Sequence, residues 1–258
     1  MARLLIGTSG WVYPHWRGVF YPDDLRERDW FEYYSRFFKT VEINNSFYRL
    51  PSRQVFESWK KMAPPDFLFT VKANRFITHI KRLRDAADSV KKFYENLEGM
   101  KDKCAAVLFQ LPPRWKLDLE RLKNFLIDIP KSYRLVFEFR DETWLVEPVF
   151  EILREHRAAL CFADRPFYPG PKDITSNFCF YRMHGGRGEL APGYTEKELR
   201  CLTEEIVSHL LEDRDVFAYF NNDYAGYAVE NALALEKLIR KEVENARTSR
   251  RRGKKKNA

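Results

Sequence analysis

The sequence predicts an α/β fold, a single (β/α)8 barrel of the TIM type. Three observations predict it. Eight apolar, strand-like runs alternate with amphipathic, helix-like stretches. Several of these runs close in polar residues two apart, which on a strand share one face. The length, 258 residues, matches the roughly 250 typical of such a barrel. An open doubly wound sheet is the alternative arrangement of the same elements.

The elements follow in chain order. A strand at 3–7 leads into a segment holding Trp11, Tyr13 and Trp16, and a helix follows at 30–38. The strand at 40–44 closes in Glu42 and Asn44, with Phe47 and Tyr48 just beyond and a helix at 55–62. The strand at 67–72 closes in Thr70, Lys72 and Asn74, then His79 and a helix at 86–97. The strand at 104–111 carries Gln110 near its end, and a helix follows at 119–127. The strand at 133–139 closes in Glu138 and Arg140, before a helix at 145–156. The strand at 158–163 has no helix after it. Pro166, Pro169, Gly170 and Pro171 make 165–177 a loop. The strand at 178–184 closes in Arg182 and His184, and a helix follows at 196–211. The strand at 215–220 ends beside Asn221, Asn222 and Asp223, before a last helix at 225–239. One domain thus spans 1–239, and 240–258 is a basic tail expected to be disordered or to fray from that helix.

The net charge of +8 belongs to this tail. From Arg240 to Ala258 nine Lys or Arg face two Glu, while residues 1–239 carry 36 basic and 35 acidic groups. The barrel is nearly neutral. Residues 247–256 could act as an arm for nucleic-acid phosphates, bound non-specifically and weakened by salt; the other reading is a solvated chain end. Cys104, Cys161, Cys179 and Cys201 form no CxxC pair and read as structural thiols. No apolar run approaches the ~18 residues of a membrane span, and Met1-Ala2-Arg3 runs straight into a strand rather than a signal peptide. The expectation is a cytoplasmic protein with no membrane partner.

The motifs, in order, are Gly7-Thr8-Ser9-Gly10-Trp11 with Tyr13 and Trp16, Phe20-Tyr21-Pro22, and Val41-Glu42-Ile43-Asn44 with Phe47-Tyr48-Arg49-Leu50-Pro51. Val71-Lys72-Ala73 with Thr78-His79, Leu108-Phe109-Gln110-Leu111-Pro112-Pro113, and Glu138-Phe139-Arg140 with Trp144 follow. Tyr181-Arg182-Met183-His184-Gly185 and Tyr219-Phe220-Asn221-Asn222 with Asn231-Ala232 complete the series. In these stretches the chain resembles the YecE-like family, barrels classed as a domain of unknown function, family 72. Ser46 stands where that family often has threonine, and Asp141 where a histidine is common. The resemblance implies a TIM barrel and no particular reaction.

Function must therefore come from the residues at the strand ends, where barrels of this type build their sites. Glu42, Glu138 and His184 are the candidate general acids and bases, with Asp164 and Asp223 as further carboxylates at the ends of strands six and eight. Lys72, Arg140 and Arg182 are candidates to hold an anion, since arginine suits phosphate and carboxylate. Asn44, Gln110, Asn221, Asn222 and Trp11 complete the candidate substrate contacts, with Trp11 as a stacking platform. His184-Gly185-Gly186-Arg187-Gly188 supplies a glycine-rich turn where barrel phosphate sites often lie. His156 and His209 sit in helical patterns and read as surface residues. No HxH, HExxH or local ligand cluster is present, so no metal and no cofactor is assigned. Two functions compete. One is a hydrolase-like or lyase-like enzyme for an anionic, phosphate-bearing molecule or nucleic-acid fragment. The other is a non-catalytic binding module using the same pocket and the basic tail. A third, blander reading makes the charged ring a plug of ion pairs.

Overall fold

The computed structural model describes residues 2–164, 170, 172–186 and 193–256. Its strands are β1 Leu4–Thr8, β2 Thr40–Ile43, β3 Leu68–Lys72, β4 Cys104–Gln110, β5 Leu135–Glu138, β6 Ala159–Ala163, β7 Phe178–Met183 and β8 Asp215–Phe220. The helices are α1 Trp30–Phe37, α2 Asn45–Tyr48, α3 Arg53–Met62, α4 Ala87–Leu97, α5 Leu119–Ile127, α6 Glu147–Glu155, α7 Glu196–Leu211 and α8 Tyr227–Lys256. All strand pairings are parallel, in the order β1-β8-β7-β6-β5-β4-β3-β2.

The two end strands of that order meet through a parallel bridge between Ser9 and Glu42, and the Gly10 N–H donates to the Glu42 carbonyl at 2.8 Å. This seam closes the barrel. It requires glycine at position 7, because a Cβ there would stand 2.2 Å from the Thr40 carbonyl oxygen.

Alternation along each strand sorts side chains into two cores. Leu5, Ala106, Leu108, Val136, Ala159, Cys161, Phe178, Phe180, Phe217 and Tyr219 fill the barrel interior. The opposite face of each strand packs under the helices. There α4 contributes Val90, Phe93, Tyr94 and Leu97, spaced i, i+3, i+4 and i+7. Each such side chain contributes about 1.5–3 kcal/mol when taken from water. Helix starts are fixed locally. Asp118 accepts from the Arg121 N–H ahead of α5, and Thr195 and Glu198 form a capping box on α7.

Three features differ from the sequence reading. A one-turn α2 and a π-turn at Phe76–Ile80 occupy segments read as connections. Helix α8 continues past residue 239 to Lys256, and Val243 packs on the core. The physical reason is composition: no glycine or proline interrupts the Lys, Arg, Glu and Ala that follow until Gly253. His209 is half-buried against Phe162 and Tyr181 rather than on the surface. Between β6 and β7 no described residue is helical. Pro166, Pro169 and Pro171 lie outside the described residues, as do Arg187 and Gly188 and the side chains of 247–256. All four cysteines are free. Among the described residues no helix is long and apolar enough to cross a membrane.

Candidate functional site

The period of two carries one polar residue from each of several strands to the mouth of the barrel. Below it, the Tyr219 hydroxyl bonds to Thr40 Oγ1 at 2.7 Å and Thr70 Oγ1 at 2.8 Å. Two residues further along the same faces come Glu42, Lys72 and Asn221, joined by Ser9, Gln110, Glu138, Arg182 and His184.

Arg182 is the centre of this ring. Its Nε and Nη2 donate to the two Glu42 carboxylate oxygens at 2.9 and 2.8 Å, and its Nη1 donates to Glu138 Oε2 at 2.5 Å. Arg182 is 1% exposed and both carboxylates are fully buried. Ser9 Oγ donates to Glu42 Oε1 at 2.8 Å. Arg140 Nε lies against Glu138 Oε1 as a charge contact without hydrogen-bond alignment. Arg140 Nη2 is 2.9 Å from His184 Nε2, and the Asn221 amide is 3.0 Å from His184 Nδ1. Since Arg140 can only donate, Nε2 accepts and the neutral ring carries its proton on Nδ1, which the Asn221 side chain meets with its carbonyl oxygen when its amide is turned over from the orientation that places nitrogen there. The His184 backbone N–H donates to Asp164 Oδ1 at 2.9 Å, and the Tyr194 hydroxyl donates to the other Asp164 oxygen.

Electrostatics fixes the charge state of most of this ring. Burial alone would raise the Glu138 pKa, but Arg182, Arg140 and His184 override it and bring it down to about 2. Burial would lower the Arg182 pKa, yet Glu42 and Glu138 raise it. Burial, reinforced by Arg182, pushes His184 down to about 3. Near neutral pH these groups are therefore a carboxylate, a guanidinium and a neutral imidazole, and none exchanges its proton.

Lys72 is different. Burial and then Arg182 push it down to about 8. It is half-buried, and its Nζ sits 4.2 Å from the centre of the Phe47 ring. No carboxylate pairs with it among the described residues, although Glu42 and Glu138 act on it through space. His79 packs edge-on against Phe47 at 4.9 Å, and burial together with Lys72, Arg75 and Arg82 lowers it to about 4. Arg75 and Arg82 are exposed, and neither meets a carboxylate among the described residues. This side of the mouth is cationic.

The expected residues thus separate into groups. Glu42, Glu138, Arg140, Arg182, His184 and Asn221 form one bonded network, and Lys72 stands beside it. Gln110 ends β4 in register with Glu138 and is half-buried. Asn44 follows β2, and its buried Oδ1 has no hydrogen-bond partner among the described residues. Two expected contacts lie elsewhere. Asn222 has the opposite parity from Asn221, and its amide donates to Asn231 on α8 at 3.0 Å. Trp11 lies beyond the end of β1, and its ring packs edge-on between Phe31 of α1 and Trp59 of α3. It is partly buried and packs with the helix layer rather than with the charged ring. Arg182 also departs from its expected role, because its buried guanidinium is taken up by two carboxylates and is not offered to an anion. Ser9 and Tyr194 are additions, Tyr194 through its bond to the expected strand-end carboxylate Asp164. Ser9 was readable from its parity with Leu5 and Gly7, whereas nothing near Tyr194 marks it in sequence.

Comparison with known proteins places this geometry. The sequence profile described as "Protein of unknown function DUF72" matches residues 5–256. The chain belongs to the DUF72 family. It is similar to the UPF0759 protein YunF of Bacillus subtilis (strain 168), with 28% identity covering 92% of this chain and 94% of that protein. The crystal structure of a DUF72 family protein from Thermotoga maritima MSB8 superposes with a TM-score of 0.81. It shares 31% identity and covers 92% of this chain and 99% of that one. A DUF72 family protein from Enterococcus faecalis V583 gives a TM-score of 0.76 at 20% identity, over 93% and 96% of the two chains, a likeness of fold. The family resemblance seen in the motifs is thereby established over the whole DUF72 barrel.

Proposed function

We propose that this DUF72 protein is a lyase-like or hydrolase-like enzyme that takes an anionic, phosphate-bearing small molecule at the carboxyl face of its barrel. Lys72 is the group that meets it. The observation that carries this reading is that Lys72 is half-buried in a charged ring and pairs with no carboxylate among the described residues. A lysine with a pKa near 8 holds an anion as an ammonium and accepts a proton as an amine within one physiological pH range.

The bonded network has a supporting role. Of the groups expected from the sequence to move protons, Glu138 is kept ionised by Arg182 and Arg140 and His184 is kept neutral by burial, while Glu42 is engaged by Arg182 and Ser9. They form a polar floor beside Lys72, which burial and then Arg182 keep below its ordinary value against the opposing pull of Glu42 and Glu138. Arg75 and Arg82 at the rim add positive potential that draws an anion in.

The test is isothermal titration of inorganic phosphate into the full chain and its Lys72→Met variant. The reading predicts binding that weakens at least about tenfold in the variant, and that weakens in the wild type as pH rises through 8 and the ammonium is lost. Equal affinity in the two proteins would overturn it. A purely ligand-holding protein would bind phosphate in the same way but would turn over no phosphate ester or carbonyl compound.

A further inference from the structure

We propose that Lys72 forms an imine with an aldehyde or ketone group of its substrate, making the mouth of this barrel a Schiff-base site. The proposal rests on the preceding reading, that Lys72 faces an anionic substrate, and names the chemistry performed there.

The surroundings of Nζ carry the argument. Lys72 is the last residue of β3 and shares the interior face with Thr70. One side of its ammonium is closed by the Phe47 ring at 4.2 Å, which His79 supports edge-on. An aromatic wall of this kind excludes water from a nascent C=N bond. Arg182 on β7 and Arg140 beyond β5 repel a proton on Nζ, and Glu42 and Glu138, which would otherwise retain it, are engaged by those same arginines. Desolvation and neighbouring cations are the two devices that make a lysine a nucleophile near neutral pH. Glu138 is held ionised and His184 neutral, so Lys72 is the ring's adjustable amine.

The step balances without a co-reactant. The Nζ lone pair attacks the carbonyl carbon, and the C=O π pair moves to oxygen. That oxygen takes the proton Nζ sheds, giving a carbinolamine. A second proton, from solvent, lets water leave, and an iminium remains. The iminium takes the electron pair of the bond between its α- and β-carbons and becomes an enamine, while the β-hydroxyl passes its proton to water and that fragment leaves as a second carbonyl compound, which is the work of a lyase. A proton from water on the α-carbon restores the iminium, and addition of water then returns the carbonyl product and the free amine.

The full chain would be incubated with glycolaldehyde phosphate at pH 7, reduced with sodium borohydride, and mapped by peptide mass spectrometry. The proposal predicts one dominant reduced adduct, on Lys72, labelled at least about tenfold faster than exposed Lys116. Its rate should climb as pH rises towards 8, fall in excess inorganic phosphate, and vanish in Lys72→Arg. Absence of a Lys72 adduct while phosphate still binds would overturn the imine and leave the anion reading standing. An adduct on Lys72 that phosphate does not slow would support the imine and overturn the anion reading. Equal labelling of Lys72 and Lys116 would overturn the proposal without any variant.

Discussion

Arg182 on β7 grips Glu42 on β2 through two parallel N–H···O bonds of 2.9 and 2.8 Å between residues 140 positions apart in sequence. The same guanidinium reaches Glu138 on β5. Three strands that are not neighbours in the sheet are thereby tied across the barrel. A buried ion cluster is a poor source of net stability compared with apolar packing, but removing one partner is severe. Arg182→Met is expected to destabilise the fold by about 3–5 kcal/mol, since two buried carboxylates lose their counter-charge. Urea denaturation measures this. Arg26→Met, which breaks an exposed pair with Asp29, should change stability by about 0.5 kcal/mol or less.

Glu138 links the same cluster to acid. Its pKa is about 2 in the folded chain and 4.5 in the absence of the fold. The unfolded chain therefore binds the proton first as pH falls. The stability this carboxylate contributes is complete above about 4.5 and is lost as pH falls towards 2, on the order of a few kcal/mol. The slope of unfolding free energy against pH in that window should be clearly shallower in Glu138→Gln. Equal slopes would show that the charge pair does not hold Glu138 ionised.

His184 is also lowered, but it is held neutral where Glu138 is held charged. Held near 3 by burial and Arg182, it stays neutral through the range where an ordinary histidine titrates. Ring nitrogen shifts should be flat from pH 5 to 8 and should report the proton on Nδ1. A midpoint near 6.5 would mean that the contacts with Arg140 and Asn221 do not form.

The seam between β1 and β2 depends on Gly7. A methyl group there meets the Thr40 carbonyl oxygen at 2.2 Å, and backbone cannot move aside as a side chain does. Gly7→Ala should cost at least about 1–3 kcal/mol. Hydrogen exchange should report it first at Gly10, whose N–H crosses the seam to Glu42.

The sequence carried the ring because parity is a local property. Lys72, Glu138, Arg182 and His184 each stand two residues from another inward position, and that spacing survives folding. The same rule failed where it was set aside. Asn221 and Asn222 were read together, although a strand turns only one of them inward. Trp11 was placed at the mouth because it follows β1, but past Thr8 no strand geometry holds its direction and it returns to α1 and α3. Charge pairing was not legible at all. Whether Arg182 holds substrate or carboxylate depends on which strands face each other across a closed barrel, and the curvature that decides this lies in no short stretch of sequence. For the same reason Lys72 could be named but not distinguished from the two arginines. Its separateness comes from what Glu42 and Glu138 do elsewhere.

The separateness of Lys72 from the bonded network is read in its own pKa. Carbon and nitrogen NMR of labelled lysine, assigned with Lys72→Arg, would follow its titration from pH 6 to 11. A midpoint near 8 is predicted. A midpoint at the ordinary lysine value of about 10.4 would mean that Lys72 is a solvated or paired ammonium and neither an adjustable anion contact nor a nucleophile near neutral pH.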